Sequence, residues 1–272
     1  MSERIVSFGA GGGLVGILCE PAPGKGLAGS PAVLLWNVGM HHRVGPFRIY
    51  VDLARQLAAI GFVSLRFDAS GLGDSEVRKD ALGEPERAAD DLRQAMAVVE
   101  LKTGIGRFVL VGFCSSVDAA HAVTLSEPRI AGAVFIEPYV YRTAGAVLRY
   151  PLRLLSRVRW VRYLDRHLPS GQLHGSETGA REAIFLRDIP SRGTFAADVH
   201  RLIARGTRLL FIYVGGDSEY EYADQFFEMV GESARGKVEL LFYPKADHTF
   251  FRTRDRAEVI DRISGWLSAT FA

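Results

Sequence analysis

Three side chains have the types and positions needed for nucleophilic chemistry: Cys114, Asp217 and His248. Cys114 lies in Val109-Leu110-Val111-Gly112-Phe113-Cys114-Ser115-Ser116-Val117-Asp118-Ala119-Ala120, a β-branched run that breaks and then resumes in helix-forming residues. The pattern predicts a strand, a sharp turn and a helix. A residue at the tip of such a turn is held in strained backbone geometry, which requires small residues two before and two after it. Gly112 and Ser116 satisfy this for Cys114, whereas a tip at Ser115 would be flanked by Phe113 and Val117. The register therefore puts a thiol at the tip, at the start of a helix. There its pKa can fall from about 8.5 into the range of about 3.5 to 7.5, so that a thiolate attacks without waiting for proton transfer.

The elements that would position these groups alternate along the chain. An opening hairpin is expected around Gly9–Gly13, then strands over Ala32–Trp36, Phe62–Phe67, the run before Cys114, Ile130–Ile136, Arg208–Val214 and Val238–Tyr243. Helical patterns lie between them at Tyr50–Ile60, Glu84–Leu101 and Glu221–Val230, and Arg256–Thr270 closes the chain with Val259, Ile260, Ile263, Trp266 and Leu267 on one face. Such alternation predicts an α/β fold with a mostly parallel, doubly wound sheet covered on both faces. Cys114, Asp217 and His248 each follow the C-terminal end of an expected strand, and in a parallel sheet all those ends share one edge. Glu137 also follows a strand and rivals Asp217 for the acid position.

The stretch around Cys114 resembles the nucleophile elbow of the α/β-hydrolase superfamily, G-x-Nuc-x-G, with cysteine where serine is usual and Ser116 for the second glycine. Asp68-Ala69-Ser70-Gly71-Leu72-Gly73-Asp74-Ser75 is similar to the D-x-R-G-x-G-x-S turn that follows the fourth strand in that family, where it is structural. The order Cys114, Asp217, His248 matches the family order of nucleophile, acid and histidine. The resemblance implies that His248, in a loop similar to G-x-x-H-x-F, accepts the proton of Cys114 and that Asp217 orients the imidazole. It places one oxyanion donor at the Ser115 amide. The other belongs to the loop after the third strand, at Gly39 or a neighbour such as Val38 or Met40. Met40, Arg43 and Glu137 are candidate substrate contacts, with His41 and His42 near the same loop.

Within that family the pattern implies a thioesterase, esterase or acyltransferase working through an acyl-cysteine, because a thioester intermediate lies close in energy to an incoming thioester. A lactone hydrolase and a hydrolase-like ligand binder without turnover are the alternatives. Residues 1–138 and 193–272 would form the core and residues 139–192 an inserted helical cap or lid. That segment is rich in arginine, with Arg142, Arg149, Arg153, Arg157, Arg159, Arg162 and Arg166. Such a local cation excess suits a small-molecule acyl substrate carried on coenzyme A or an acyl carrier protein.

Composition bounds these options. The 272 residues, 48% of them hydrophobic, suffice for one large α/β domain, and a net charge of +2 gives no overall basis for nucleic-acid binding. Met1–Gly13 lacks the pattern of a secretion signal and no long uncharged apolar run occurs, so a soluble cytoplasmic protein is expected. Cys19 and Cys114 make no disulfide framework and no metal motif, and neither a metal nor a cofactor is expected. Cys19 is expected to be inert packing within its strand.

Overall fold

The computed structural model describes the chain apart from residues 40, 81, 147, 149–186, 188 and 216–218. The expected cap lies mostly outside the described residues, as do the arginines between 149 and 166, Met40 and Asp217.

Eight strands form one sheet in the order β1-β2-β4-β3-β5-β6-β7-β8. They are β1 (Ser2–Phe8), β2 (Leu14–Glu20), β3 (Ala32–Trp36), β4 (Ser64–Phe67), β5 (Phe108–Phe113), β6 (Ile130–Ile136), β7 (Arg208–Val214) and β8 (Glu239–Tyr243). Only β1 and β2 pair antiparallel to their neighbours, and β4, β3, β5, β6, β7 and β8 run parallel. The expected mostly parallel, doubly wound sheet is thus the fold observed. Parallel strands must be connected across a face of the sheet, which is why helices cover both sides.

Side chains alternate along the buried strands. Val109, Val111 and Phe113 of β5 pack toward α1 (Ile49–Ala59) and the C-terminal α6 (Thr253–Phe271). Phe108 and Leu110 face the opposite layer of α2 (Glu84–Thr103), α3 (Ser116–Ser126), α4 (Arg192–Ala204) and α5 (Gln225–Val230). Cys19 is fully buried in β2, and burial pushes its thiol above the ordinary value, which suits packing rather than reactivity. No helix among the described residues is long and apolar enough to cross a membrane.

The strand order reverses direction between β3 and β5. From β3 the chain passes through α1 to β4 on one side, and from β5 it passes through α3 to β6 on the other. Loops leaving the C-terminal ends of β3 and β5 therefore part in opposite directions, and this switch point is where open α/β sheets place a ligand crevice. Gly39 stands on one side of it and Cys114 on the other.

Candidate active site

Cys114 is the first residue beyond β5 and has φ 53, a left-handed conformation uncommon for a residue with a side chain. Its amide extends the ladder by donating to the Ile136 carbonyl at 2.9 Å, while its carbonyl already accepts from Val117 of α3 at 3.0 Å. The chain thus turns from strand to helix within one residue. Gly112 permits the close packing behind it: a Cβ there would stand 2.9 Å from Ala120 Cβ and 3.0 Å from Val117 Cα. Ser116 braces the turn, its Oγ accepting the Phe113 amide at 2.7 Å and donating to the Phe113 carbonyl at 2.9 Å. Ser115 has helical φ and ψ of −61° and −29°, so the residue at the tip is the cysteine.

His248 is carried by the loop after β8. Asp247 shapes that loop, its carboxylate accepting the Thr249 amide and hydroxyl and the Phe251 amide. Phe250, buried at φ 52, packs on Phe113 and Tyr243 and anchors the loop from below. The imidazole lies against the Phe113 ring, is the main influence that lowers the Cys114 thiol, and has its Nδ1 3.2 Å from Glu137 Oε2.

Among the described residues Glu137, the rival to Asp217 for the acid position, is the carboxylate that meets the histidine. Asp217 lies outside the described residues. The geometry of Glu137 explains its position. It is the first residue beyond β6, at φ 53, with its amide donating to the Ile212 carbonyl at 2.8 Å. Its buried carboxylate uses Oε1 to accept the Val214 amide at 2.6 Å and turns Oε2 toward His248. Cys114 and Glu137 thus occupy equivalent places on adjacent strands. The expectation that Glu137 touches substrate gives way to this contact, because both of its oxygens are engaged.

The electrostatics favour an ion pair. Burial pushes the Cys114 thiol up, but the hydrogen bond and charge of His248, the charge of Arg187 and the Ser115 amide bring it below the ordinary thiol value. His248 is raised to about 10 by its bonds to Cys114 and Glu137, against a desolvation cost. Both shifts run in the direction that favours a thiolate beside an imidazolium. Arg187 was not anticipated from sequence, since nothing in its neighbours marks it. It bonds Asp118 of α3 at 2.8 Å and lies over the Tyr139 ring at 5.1 Å. Asp118, in the first turn of α3, is its counter-ion.

The loop after β3 carries the remaining candidates. His41 N–H donates to the Val38 carbonyl at 2.9 Å, which closes a tight turn with Gly39 at φ 52. This turn presents the Gly39 amide to Ser115 Oγ at 2.9 Å. His41 and His42 are exposed. Arg43, expected at the substrate, points elsewhere. Its guanidinium pairs with the buried Asp68 and, at 2.6 Å, with Asp74, and its amide donates to Asp68 at 2.7 Å. Asp68 also accepts from Asn37 Nδ2 at 3.3 Å, so the turn after β4 holds the loop after β3 in place. Gly73 is required there, because a Cβ would fall 2.4 Å from the Asp68 carboxylate. Among the described residues no group of three or more His, Cys, Asp or Glu side chains could hold a metal ion.

No protein-family model matches the chain, and no curated protein matches it. Solved structures do. An esterase from Pyrococcus furiosus aligns with a TM-score of 0.61 at 13% identity, covering 100% of this chain and 92% of the esterase. The α/β hydrolase GrgF from Penicillium sp. sh18 aligns with a TM-score of 0.60 at 18% identity, covering 100% and 99%. A serine hydrolase without lid from Xanthomonas campestris aligns at 0.56 and 15% identity, covering 99% and 94%. At these identities the likeness is one of fold: the chain has the α/β-hydrolase fold.

Proposed function

We propose that this protein is an acyl hydrolase or acyltransferase in which Cys114, His248 and Glu137 act as nucleophile, general acid/base and orienting acid. The observation that carries this reading is that Cys114 stands at the tip of a strand-to-helix turn with His248 packed on the adjacent Phe113 and its Nδ1 3.2 Å from Glu137. The esterase and hydrolase descriptions of the similar structures support ester or thioester cleavage as the reaction class.

The Cys114 thiolate attacks the acyl carbonyl, and the π pair moves onto oxygen. When the tetrahedral intermediate collapses, that pair returns, the bond to the alkoxide or thiolate leaving group breaks, and His248 supplies the leaving group's proton. The acyl group is now a thioester on Cys114. His248, neutral after that transfer, takes a proton from water or an acceptor as it attacks. The second collapse restores the thiolate and the imidazolium. Glu137 keeps the Nδ1 proton facing itself and so leaves Nε2 to do the work. Its own bond to the Val214 amide fixes the carboxylate that does this.

The test is time-resolved intact mass with a panel of esters and acyl thioesters. An acyl adduct that forms on wild-type protein and not on Cys114→Ala supports the reading. Reversible binding of the panel with no adduct and no turnover means a receptor, not an enzyme.

A further inference from the structure

We propose that the Ser115 hydroxyl, rather than the Gly39 amide, is the second oxyanion donor of this site. The proposal rests on the acyl-cysteine reading and gives a catalytic role to a side chain which that reading leaves idle. The Gly39 amide has a single proton, and it is spent on Ser115 Oγ at 2.9 Å. A hydroxyl that accepts one hydrogen bond still has its own proton to donate and rotates it to suit. The direct role expected for Gly39 thus passes one atom further on, to an O–H polarised by the amide behind it.

The position of that O–H fits. The Ser115 amide follows Cys114 directly in the chain, at the start of α3, and is one of the influences that lower its thiol. Covalent geometry allows a serine Oγ to stand about 3 Å from its own amide nitrogen. One residue therefore offers two donors beside the sulfur, where the carbonyl oxygen of a bound acyl group becomes negative. Ser115 is in helical backbone conformation at the start of α3 and half-buried, and the Gly39 turn is tied through Asn37 and Arg43 to Asp68. Both ends of the amide-to-hydroxyl bond are thus held by rigid parts. An arrangement that needs no movement as charge develops is the kind that stabilises a transition state most. No proton is transferred. The oxyanion accepts hydrogen bonds from the Ser115 N–H and O–H, and these relax when its electron pair returns to the carbonyl.

The experiment compares wild type, Ser115→Ala and Ser115→Thr in two reactions of Cys114. Single-turnover acylation by p-nitrophenyl acetate and by S-phenyl thioacetate passes through an oxyanion. Alkylation by iodoacetamide requires the same thiolate but forms no oxyanion. Ser115→Ala is expected to slow acylation by about 10²–10³-fold, the usual cost of one oxyanion donor, with alkylation unchanged and Ser115→Thr restoring most of the acylation rate. Acylation of Ser115→Ala at the wild-type rate or faster overturns the proposal, since Gly39 then serves directly. Equal slowing of both reactions overturns it too, because the hydroxyl would be supporting the thiolate, and so does a Ser115→Thr variant as slow as Ser115→Ala. A wild-type protein that is alkylated but never acylated by either donor removes the acyl-cysteine reading itself, and the hydroxyl's role with it.

Discussion

Glu137 and His248, 111 residues apart in sequence, meet at 3.2 Å because one directly follows β6 and the other stands in the loop after β8 on the same edge of the sheet. Glu137 reaches the ring with one carboxylate oxygen while the other is tied to the first strand between them, at Val214. Its φ of 53 matches that of Cys114 on the neighbouring strand, and Phe250 beside the histidine has φ 52. Left-handed backbone at three residues with side chains costs of order 1–3 kcal/mol each and persists where the surroundings enforce it. Here all three surround one imidazole.

Glu137→Gln should therefore be far more damaging than Asp217→Asn. The glutamine oxygen can still accept the Val214 amide, but its NH₂ then faces Nδ1 and selects the tautomer with Nε2–H, which cannot accept a proton. A fall in kcat of up to about 10⁴ is the precedent for such a neutral replacement. Steady-state turnover of the two variants decides between them, and the opposite ranking would return the acid role to Asp217.

The ion pair predicts a pH dependence. Cys114 is lowered from the ordinary thiol value and His248 is raised to about 10, both in the direction that favours the reactive pair. Iodoacetamide alkylation should turn on below the ordinary thiol range. In His248→Gln the same inflection should move up, because burial remains while the largest opposing influence is gone. Rates measured from below the ordinary thiol value up to about pH 10, where His248 titrates, check this; identical profiles for the two proteins would sink the ion pair.

Arg43→Met should behave as a folding variant. It leaves Asp68, whose side chain is 0% exposed, without its guanidinium partner. Removing one member of a buried pair costs about 3–5 kcal/mol, and the 17% exposure of the Arg43 side chain argues for the lower end here. Urea unfolding measures this directly. A raised KM at unchanged stability would instead support the substrate contact expected from sequence.

Gly112→Ala tests the turn itself. The added methyl would press on Ala120 Cβ and Val117 Cα at 2.9 and 3.0 Å, and neither is the free end of a flexible chain. Overpacking of this kind costs about 1–3 kcal/mol. Because the strain falls between β5 and α3, the acylation rate of Cys114 should drop along with the denaturation midpoint. An alanine variant with wild-type stability would mean that α3 packs less closely than described.

The sequence alone determined the sheet and the thiol. Periodicity and breakers are local properties, so the strands and helices could be read with boundaries a few residues off, as in β4, which begins at Ser64 rather than Phe62. The small residues at 112 and 116 marked Cys114 as the tip because backbone strain is also local. Tertiary structure brought Glu137 to His248, a meeting that the strand pattern does not show; Asp217, which also follows a strand, lies outside the described residues. Tertiary structure likewise turned Arg43 toward Asp68, brought Arg187 to Asp118, and set the Gly39 amide on Ser115 Oγ. Each of these is a contact between residues 25 or more positions apart, and spacing along a chain carries no record of where a side chain finds its partner.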